Sequence, residues 1–103
     1  MNNQEKIKNI ANQIVKNYKP EKIILFGSFA YGAPKPSSDV DLLVVKNSRK
    51  KRVERIKDLL MAIESDLPVE PLAYTAKELK KRLDMGDFFF HDIISKGKVL
   101  YEK

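Results

Sequence analysis

The chain has 103 residues, fewer than an average domain of about 150, so we expect one compact domain over residues 1–103 and exclude a multidomain enzyme. Apolar residues make up 43% and charged residues 33%, a balance that excludes a disordered chain. Twenty Lys and Arg against fourteen Asp and Glu give a net charge of +6, which favours nucleotides, RNA or acidic proteins as partners without choosing among them.

The first predicted element is an amphipathic helix. Its apolar residues recur three and four positions apart between Ile7 and Tyr18, and Asn2 and Glu5 are placed to cap it. Pro20 marks its end. The run Ile23–Phe26 then predicts a short buried strand.

That strand stops abruptly at Gly27, where we expect a brief helix. Ser28 is the expected cap, Gly32 is a C-terminal stop, and residues 33–38 form a loop. Asp39–Val45 predicts a second strand, with its first half at the sheet edge and its second half inside.

A helix from Ser48 to just before Pro68 is indicated by five apolar residues expected on its inner face: Val53, Ile56, Leu59, Leu60 and Ile63. Val69–Tyr74 predicts a third strand. Thr75 and Glu78 form a capping box that opens a further helix.

Asp87 is expected to cap a final helix that contains Phe88-Phe89-Phe90, of which at least one ring must lie at a surface. A last short strand covers Val99–Tyr101. Helices alternate with strands throughout, which predicts a two-layer or three-layer α/β domain.

The first chemical feature is a pair of carboxylates. Asp39 and Asp41 are two positions apart on a strand, so both project from the same face and repel each other. Oxygen ligands without Cys or His favour a hard cation such as Mg²⁺ or Mn²⁺. Alone, this spacing is also typical of a solvated strand end.

The second feature is the Gly27-Ser28 turn between a strand and a helix. A glycine permits close approach of the backbone, and free N–H groups with a serine hydroxyl favour phosphate. Such a turn is more often a simple cap, but beside two aspartates it indicates nucleotide chemistry.

Together these residues resemble a known family. Gly27-Ser28-Phe29-Ala30-Tyr31-Gly32 and Ser38-Asp39-Val40-Asp41-Leu42-Leu43-Val44 are similar to the signature of the DNA polymerase beta-like nucleotidyltransferases. The length and the C-terminal pattern most resemble the minimal branch, the antitoxin-type partners of HEPN-domain toxins. The resemblance implies a palm-type α/β fold, a small mixed sheet flanked by helices.

The resemblance also implies site residues. Asp39, Asp41 and a third carboxylate would bind Mg²⁺, expected as two ions, and Glu70 stands where the family usually has Asp. Pro71 beside it weakens the strand interpretation, so a solvated Glu70 remains the alternative.

For the nucleotide, the resemblance implies that Gly27 and Ser28 hold the β and γ phosphates, with Ser38 beside them. Tyr31 replaces an Arg that relatives often carry, and Lys35 is the expected substitute. The implied reaction transfers AMP from ATP to a hydroxyl, on a tyrosine of a cognate HEPN toxin, which neutralises that toxin.

Two other functions remain open. One is a non-catalytic binding module that neutralises its partner by covering it, in a homo- or hetero-oligomer, with a vestigial nucleotide site. The other is RNA binding through the basic segment 46–57, which carries the whole net charge; no stacking motif accompanies it, so a solvated face is favoured and nucleic acid is not an expected partner.

The compartment follows from two absences. The chain has no cysteine, which suits a reducing cytoplasm, and its longest apolar run, Leu59 to Ile63, is far short of the ~20 residues of a membrane span. We therefore expect a cytoplasmic protein without membrane contact.

Overall fold

The computed structural model describes all 103 residues as one four-stranded sheet and five helices. The strands are β1 (Lys22–Phe26), β2 (Val40–Val45), β3 (Val69–Tyr74) and β4 (Lys98–Glu102). The helices are α1 (Asn3–Tyr18), α2 (Ser28–Tyr31), α3 (Arg52–Ala62), α4 (Ala76–Asp84) and α5 (Phe88–Lys96).

The sheet is mixed and runs in the order β3-β2-β1-β4. β1 pairs antiparallel with β2 and β4, whereas β2 pairs parallel with β3. The expectation that β2 begins at a sheet edge is wrong, because β3 pairs with all six of its residues and β1 with five of them, and Val40 is fully buried. The mixed α/β fold is confirmed.

Helices cover both faces of the sheet, which makes three layers. On one face, α1 and α3 bury Ile10, Ile14 and Leu59 against β1 and β2. On the other face, Phe90 and Ile93 of α5 pack against Leu43 and Val45 and their neighbours. No helix is long and apolar enough to cross a lipid bilayer; the longest has 16 residues.

The predicted caps are confirmed, with one exception. Asn2 accepts a hydrogen bond from the Glu5 amide at 2.8 Å, and the capping box of Thr75 is complete. Gly27, and not Ser28, is the N-cap of α2. Its φ of 75° and ψ of −160° suit only a glycine, so Ser28 moves into the first helical turn.

Helix α3 is rotated relative to the prediction. It spans Arg52–Ala62 and is shorter than predicted at both ends. Ile56, Leu59 and Ile63 face the core as predicted, whereas Val53 and Leu60 are 79% and 49% exposed instead of buried. The reason is Arg55, which is only 6% exposed and donates two hydrogen bonds to the carboxylate of Glu78. Satisfying this buried guanidinium fixes the face that α3 turns inward.

Pro71 lies within β3 without interrupting its pairing. The Pro68 carbonyl accepts a hydrogen bond from the Val40 amide at 2.8 Å, and the Tyr74 carbonyl accepts one from the Lys46 amide at 3.0 Å. The even-numbered residues of β3 therefore direct their backbone groups to β2. Pro71, an odd-numbered residue, directs its backbone to the open edge, where a missing N–H costs no ladder bond. The third strand is thus confirmed.

Four of the seven cations of the basic segment 46–57 have partners within the protein, and one of these pairs, Arg52 with Glu78 at 3.8 Å, is long. Lys46 donates to the Tyr18 carbonyl at 2.6 Å, and Lys50 pairs with Asp58 at 2.7 Å. Arg52 and Arg55 both face Glu78.

Candidate active site

The site is built where β1 ends and β2 begins. Asp41 is the register partner of Phe26 in β1 and of Glu70 in β3. Because directly paired residues project from the same face, Asp41 and Glu70 share the face covered by α5. The topology therefore brings the predicted second and third carboxylates to adjacent strands.

Three carboxylates influence one another here. Burial raises the pKa of the half-buried Asp41, and the negative charges of Asp39 and Glu70 raise it further. None of the eight ion pairs of the structure includes any of the three. Negative charge thus accumulates at this end of the sheet without a protein cation to balance it.

Gly27 is in direct contact with Asp41. A Cβ built on Gly27 would overlap Oδ2 of Asp41 and lie 3.1 Å from its Cγ. Any side chain at position 27 would displace the carboxylate or the turn. The glycine is therefore required twice, for its positive φ and for the space that the carboxylate occupies.

Two aromatic side chains, Phe26 and Phe89, lie next to Asp41 and were not among the predicted site residues. Phe26 packs edge to face against Phe89 of α5, with ring centroids 5.8 Å apart. Phe26 projects from the same face as its register partner Asp41. The signal in the sequence was its position directly before Gly27.

The remaining predicted nucleotide-binding residues form a separate turn in the loop before β2. The Ser38 hydroxyl accepts from the Lys35 amide at 2.8 Å, and the Ser38 amide donates to the Lys35 carbonyl at 2.9 Å. Lys35 is exposed and makes no ion pair. Ser28 is half-buried at the start of α2, and its carbonyl accepts from Ala33. No hydrogen bond joins this turn to the carboxylates.

The donor set fits a hard divalent cation. Three carboxylates without a counter-cation, one of them with a raised pKa, are stabilised by an ion that neutralises them. The side chains are not gathered into a ligating cluster: the structure contains no group of three or more His, Asp or Glu close enough to hold a metal. Asp41 and Glu70 lie on neighbouring strands, whereas Asp39, predicted as the first residue of the second strand, lies in the loop directly before β2. The residue types suit the ion, and the three carboxylates are not close enough together to hold it.

The sequence is similar to that of a protein of Methanocaldococcus jannaschii named as a "putative protein adenylyltransferase". The two are 27% identical over 105 residues, which cover 98% of this chain and 100% of the relative.

The fold is similar to that of three solved structures. A "putative nucleotidyltransferase" from Sulfolobus solfataricus has a TM-score of 0.64 and 17% identity, over 96% of this chain and 79% of that one. A toxin-antitoxin structure with AMP-PNP has a TM-score of 0.60 and 24% identity, over 99% and 75%. A variant of the MntA-HpeT toxin-antitoxin, with two Asp-to-Glu substitutions, has a TM-score of 0.59 and 22% identity, over 93% and 73%.

The sequence profile described as "Polymerase beta, Nucleotidyltransferase" matches residues 5–103, nearly the whole chain. The resemblance seen in the Gly-Ser and Asp-x-Asp motifs is thereby confirmed. The chain belongs to the polymerase beta nucleotidyltransferase family and is a nucleotidyltransferase.

Proposed function

We propose that the protein, as one minimal nucleotidyltransferase domain over residues 1–103, transfers AMP from ATP to a hydroxyl of a protein. The observation that carries this proposal is the set of Asp39, Asp41 and Glu70, which share one end of the sheet beside Gly27 and lack any protein cation. Such a set suits Mg²⁺, and a nucleotidyl transfer needs that charge balance.

Asp39, Asp41 and Glu70 would hold the Mg²⁺, which we expect to be two ions. When bound, this metal supplies positive charge to the attacking oxygen and to the leaving pyrophosphate. The carboxylates also accept the proton of the attacking hydroxyl. The new bond joins the acceptor oxygen to the α-phosphorus, and the bond from that phosphorus to the bridging oxygen of the β-phosphate breaks.

The phosphates would lie against the Gly27-Ser28 turn. The first N–H groups of a helical turn have no acceptor within the helix, and the absence of a side chain at Gly27 lets a ligand approach the backbone. Ser38 and Lys35 belong to the next loop, and we assign Lys35 to the triphosphate in place of the arginine missing at Tyr31.

The acceptor we propose is a tyrosine of a cognate HEPN toxin, so that the protein acts as an antitoxin. This choice is supported by the name of the Methanocaldococcus jannaschii relative, a protein adenylyltransferase, and by the two toxin-antitoxin structures that share the fold. The structure with AMP-PNP supports ATP as the nucleotide.

The decisive experiment is labelling of native-host lysate with α-labelled ATP and Mg²⁺, followed by the same assay on the purified acceptor. Wild type should label one band, and the Asp39→Asn, Asp41→Asn variant should label none. Asp66→Asn removes one exposed carboxylate that is not among the three proposed ligands and is the control. Equal labelling by wild type and by the double variant would refute the proposal.

A non-catalytic module remains the second candidate because the three carboxylates are not gathered into a ligating cluster. It predicts a stable one-to-one complex with the toxin that forms without ATP, and neutralisation that survives the double Asp variant. Size-exclusion chromatography of the two proteins without nucleotide distinguishes the two functions.

A further inference from the structure

A cavity lies at the opposite end of the sheet from the carboxylates. Tyr74 and Glu70 project from the same face of β3 but are four residues, about 13 Å, apart. The cavity measures about 330 Å³ and is bordered by α3, α4 and the end of β3. Its lining residues are Arg52, Tyr74, Glu78, Lys81, Arg82 and Met85.

The cavity is positively charged. Its one lining carboxylate, Glu78, is already engaged: the buried Arg55 donates to both of its oxygens, at 2.6 and 3.2 Å, and the Thr75 amide donates at 2.9 Å. Because Arg55 balances Glu78, the charge of the three cations that line the cavity is not cancelled.

Those three cations have weak partners or none. Arg52 is 3.8 Å from Glu78, and Arg82 is 3.9 Å from Asp87, whose other oxygen caps α5. Lys81 is exposed and forms no ion pair. At these distances the ion pairs are long, so each cation keeps donors for a further ligand.

The hydroxyl of Tyr74 is a further polar group at this cavity that has no partner within the protein. The side chain of Tyr74 is only 8% exposed, with its ring beneath Arg52 at 4.1 Å and against Phe90. Its hydroxyl takes part in none of the hydrogen bonds of the protein. No fully buried side-chain oxygen or nitrogen of the protein lacks a partner, so this hydroxyl is not fully buried, and Tyr74 is one of the residues that line the cavity.

We infer that this cavity binds a small anion that carries a phosphate or diphosphate group. Guanidinium groups match phosphate oxygens in geometry, a tyrosine hydroxyl donates to the same oxygens, and three positive charges suit a ligand with two or more negative ones. The volume of the cavity is sufficient for a diphosphate group. This inference does not depend on the proposed nucleotidyl transfer.

The test is a titration of the ¹⁵N-labelled protein with pyrophosphate in EDTA and 150 mM salt, so that no divalent ion loads the carboxylates. We expect saturable shifts of the amides of Tyr74, Lys81 and Arg82. Parallel titrations with phosphate and ADP identify the kind of ligand that supplies the diphosphate. Equal affinity for pyrophosphate and ADP indicates a free diphosphate, and tighter binding of ADP indicates a nucleotide.

Two variants and a matched control decide the result. Tyr74→Phe removes only the hydroxyl and should weaken binding about tenfold, as expected for a hydrogen bond to a charged group. Lys81→Gln should weaken it similarly, whereas Lys77→Gln removes the same charge from the same helix outside the cavity and should change nothing.

The inference is overturned if both variants bind pyrophosphate as wild type does, if Lys77→Gln weakens binding as much as Lys81→Gln, or if the shifts are confined to Gly27 and Ser28. The Asp39→Asn, Asp41→Asn variant should bind pyrophosphate normally while it loses labelling. Failure of this site and failure of the proposed transfer are therefore separate results.

Discussion

Replacing Glu78 by glutamine tests the ion pair that holds α3 and α4 to the sheet. Glutamine keeps an acceptor for the Thr75 amide but removes the charge opposite Arg55, which is 6% exposed. The guanidinium then remains buried without a counter-charge. We expect Glu78→Gln to destabilise the protein, because a buried charge without its partner is costly.

The magnitude follows from the titration of Glu78. The hydrogen bond from Arg55 is the main cause that lowers the pKa of Glu78 from 4.5 to about 2. That displacement corresponds to at most about 3.5 kcal/mol of stability, at about 1.4 kcal/mol for each tenfold change in proton affinity. The side chain of Glu78 is 35% exposed, so solvent screening reduces the value to about 2 kcal/mol. A Tm lower by about 10 °C is expected for a domain of this size.

The effect must depend on pH in one direction. Because the pKa of Glu78 is depressed in the folded state, its charge stabilises the fold above pH 4.5, and this contribution is lost as the pH falls towards 2. The difference in Tm between wild type and Glu78→Gln should be full at pH 7 and less than half as large at pH 3.

Thermal melts followed by circular dichroism at the two pH values provide the measurement. Asp84→Asn removes a carboxylate of the same helix from an exposed pair with Lys80 and should cost less than about 0.5 kcal/mol. If wild type and Glu78→Gln have the same Tm at pH 7, or if their Tm values differ equally at pH 7 and pH 3, the ion pair of Glu78 with Arg55 does not stabilise the fold as proposed.

Three further substitutions have defined outcomes. Asp41→Asn should abolish labelling and raise the Tm at pH 7. Because the pKa of Asp41 is raised in the folded state, its negative charge destabilises the fold at pH values above the ordinary pKa of 3.8. An unchanged or lower Tm would contradict this. Gly27→Ala should lower stability in urea by about 1–2 kcal/mol more than Gly86→Ala, since both glycines have φ of 75° but nothing lies within 4 Å of a Cβ at Gly86. Leu59→Ala should cost about 2–5 kcal/mol in the same assay, because the side chain is fully buried, and a loss below 1 kcal/mol would show that the packing is wrong.

The sequence specified most elements because their signals are local. The α1 cap at Asn2 and the capping box of Thr75 each depend on residues within three positions, and the structure contains both. The order of the strands has no such signal. β4 lies beside β1, with paired residues 73 to 80 positions apart, and only the complete packing determines that neighbour.

The rotation of α3 shows where pattern reasoning failed. The spacing of apolar residues predicted that Val53 and Leu60 face the core. This pattern depends only on hydrophobic residues, so it does not predict that an arginine is buried. Arg55 is stabilised by Glu78, 23 positions later, and that partner is identifiable only in three dimensions. At the site, likewise, the aspartate spacing was visible in the sequence, but the contact of Asp41 with Gly27 arises from strand register.

The outer edge of β3 has a consequence for self-association. An exposed sheet edge invites strand addition by another chain, and this edge is blunted at two places. Pro71 offers no N–H there, and the Ala73 carbonyl already accepts from Arg55 at 3.3 Å. A strand added beside β3 would lack these two backbone hydrogen bonds, which disfavours self-association through the edge that contains Glu70.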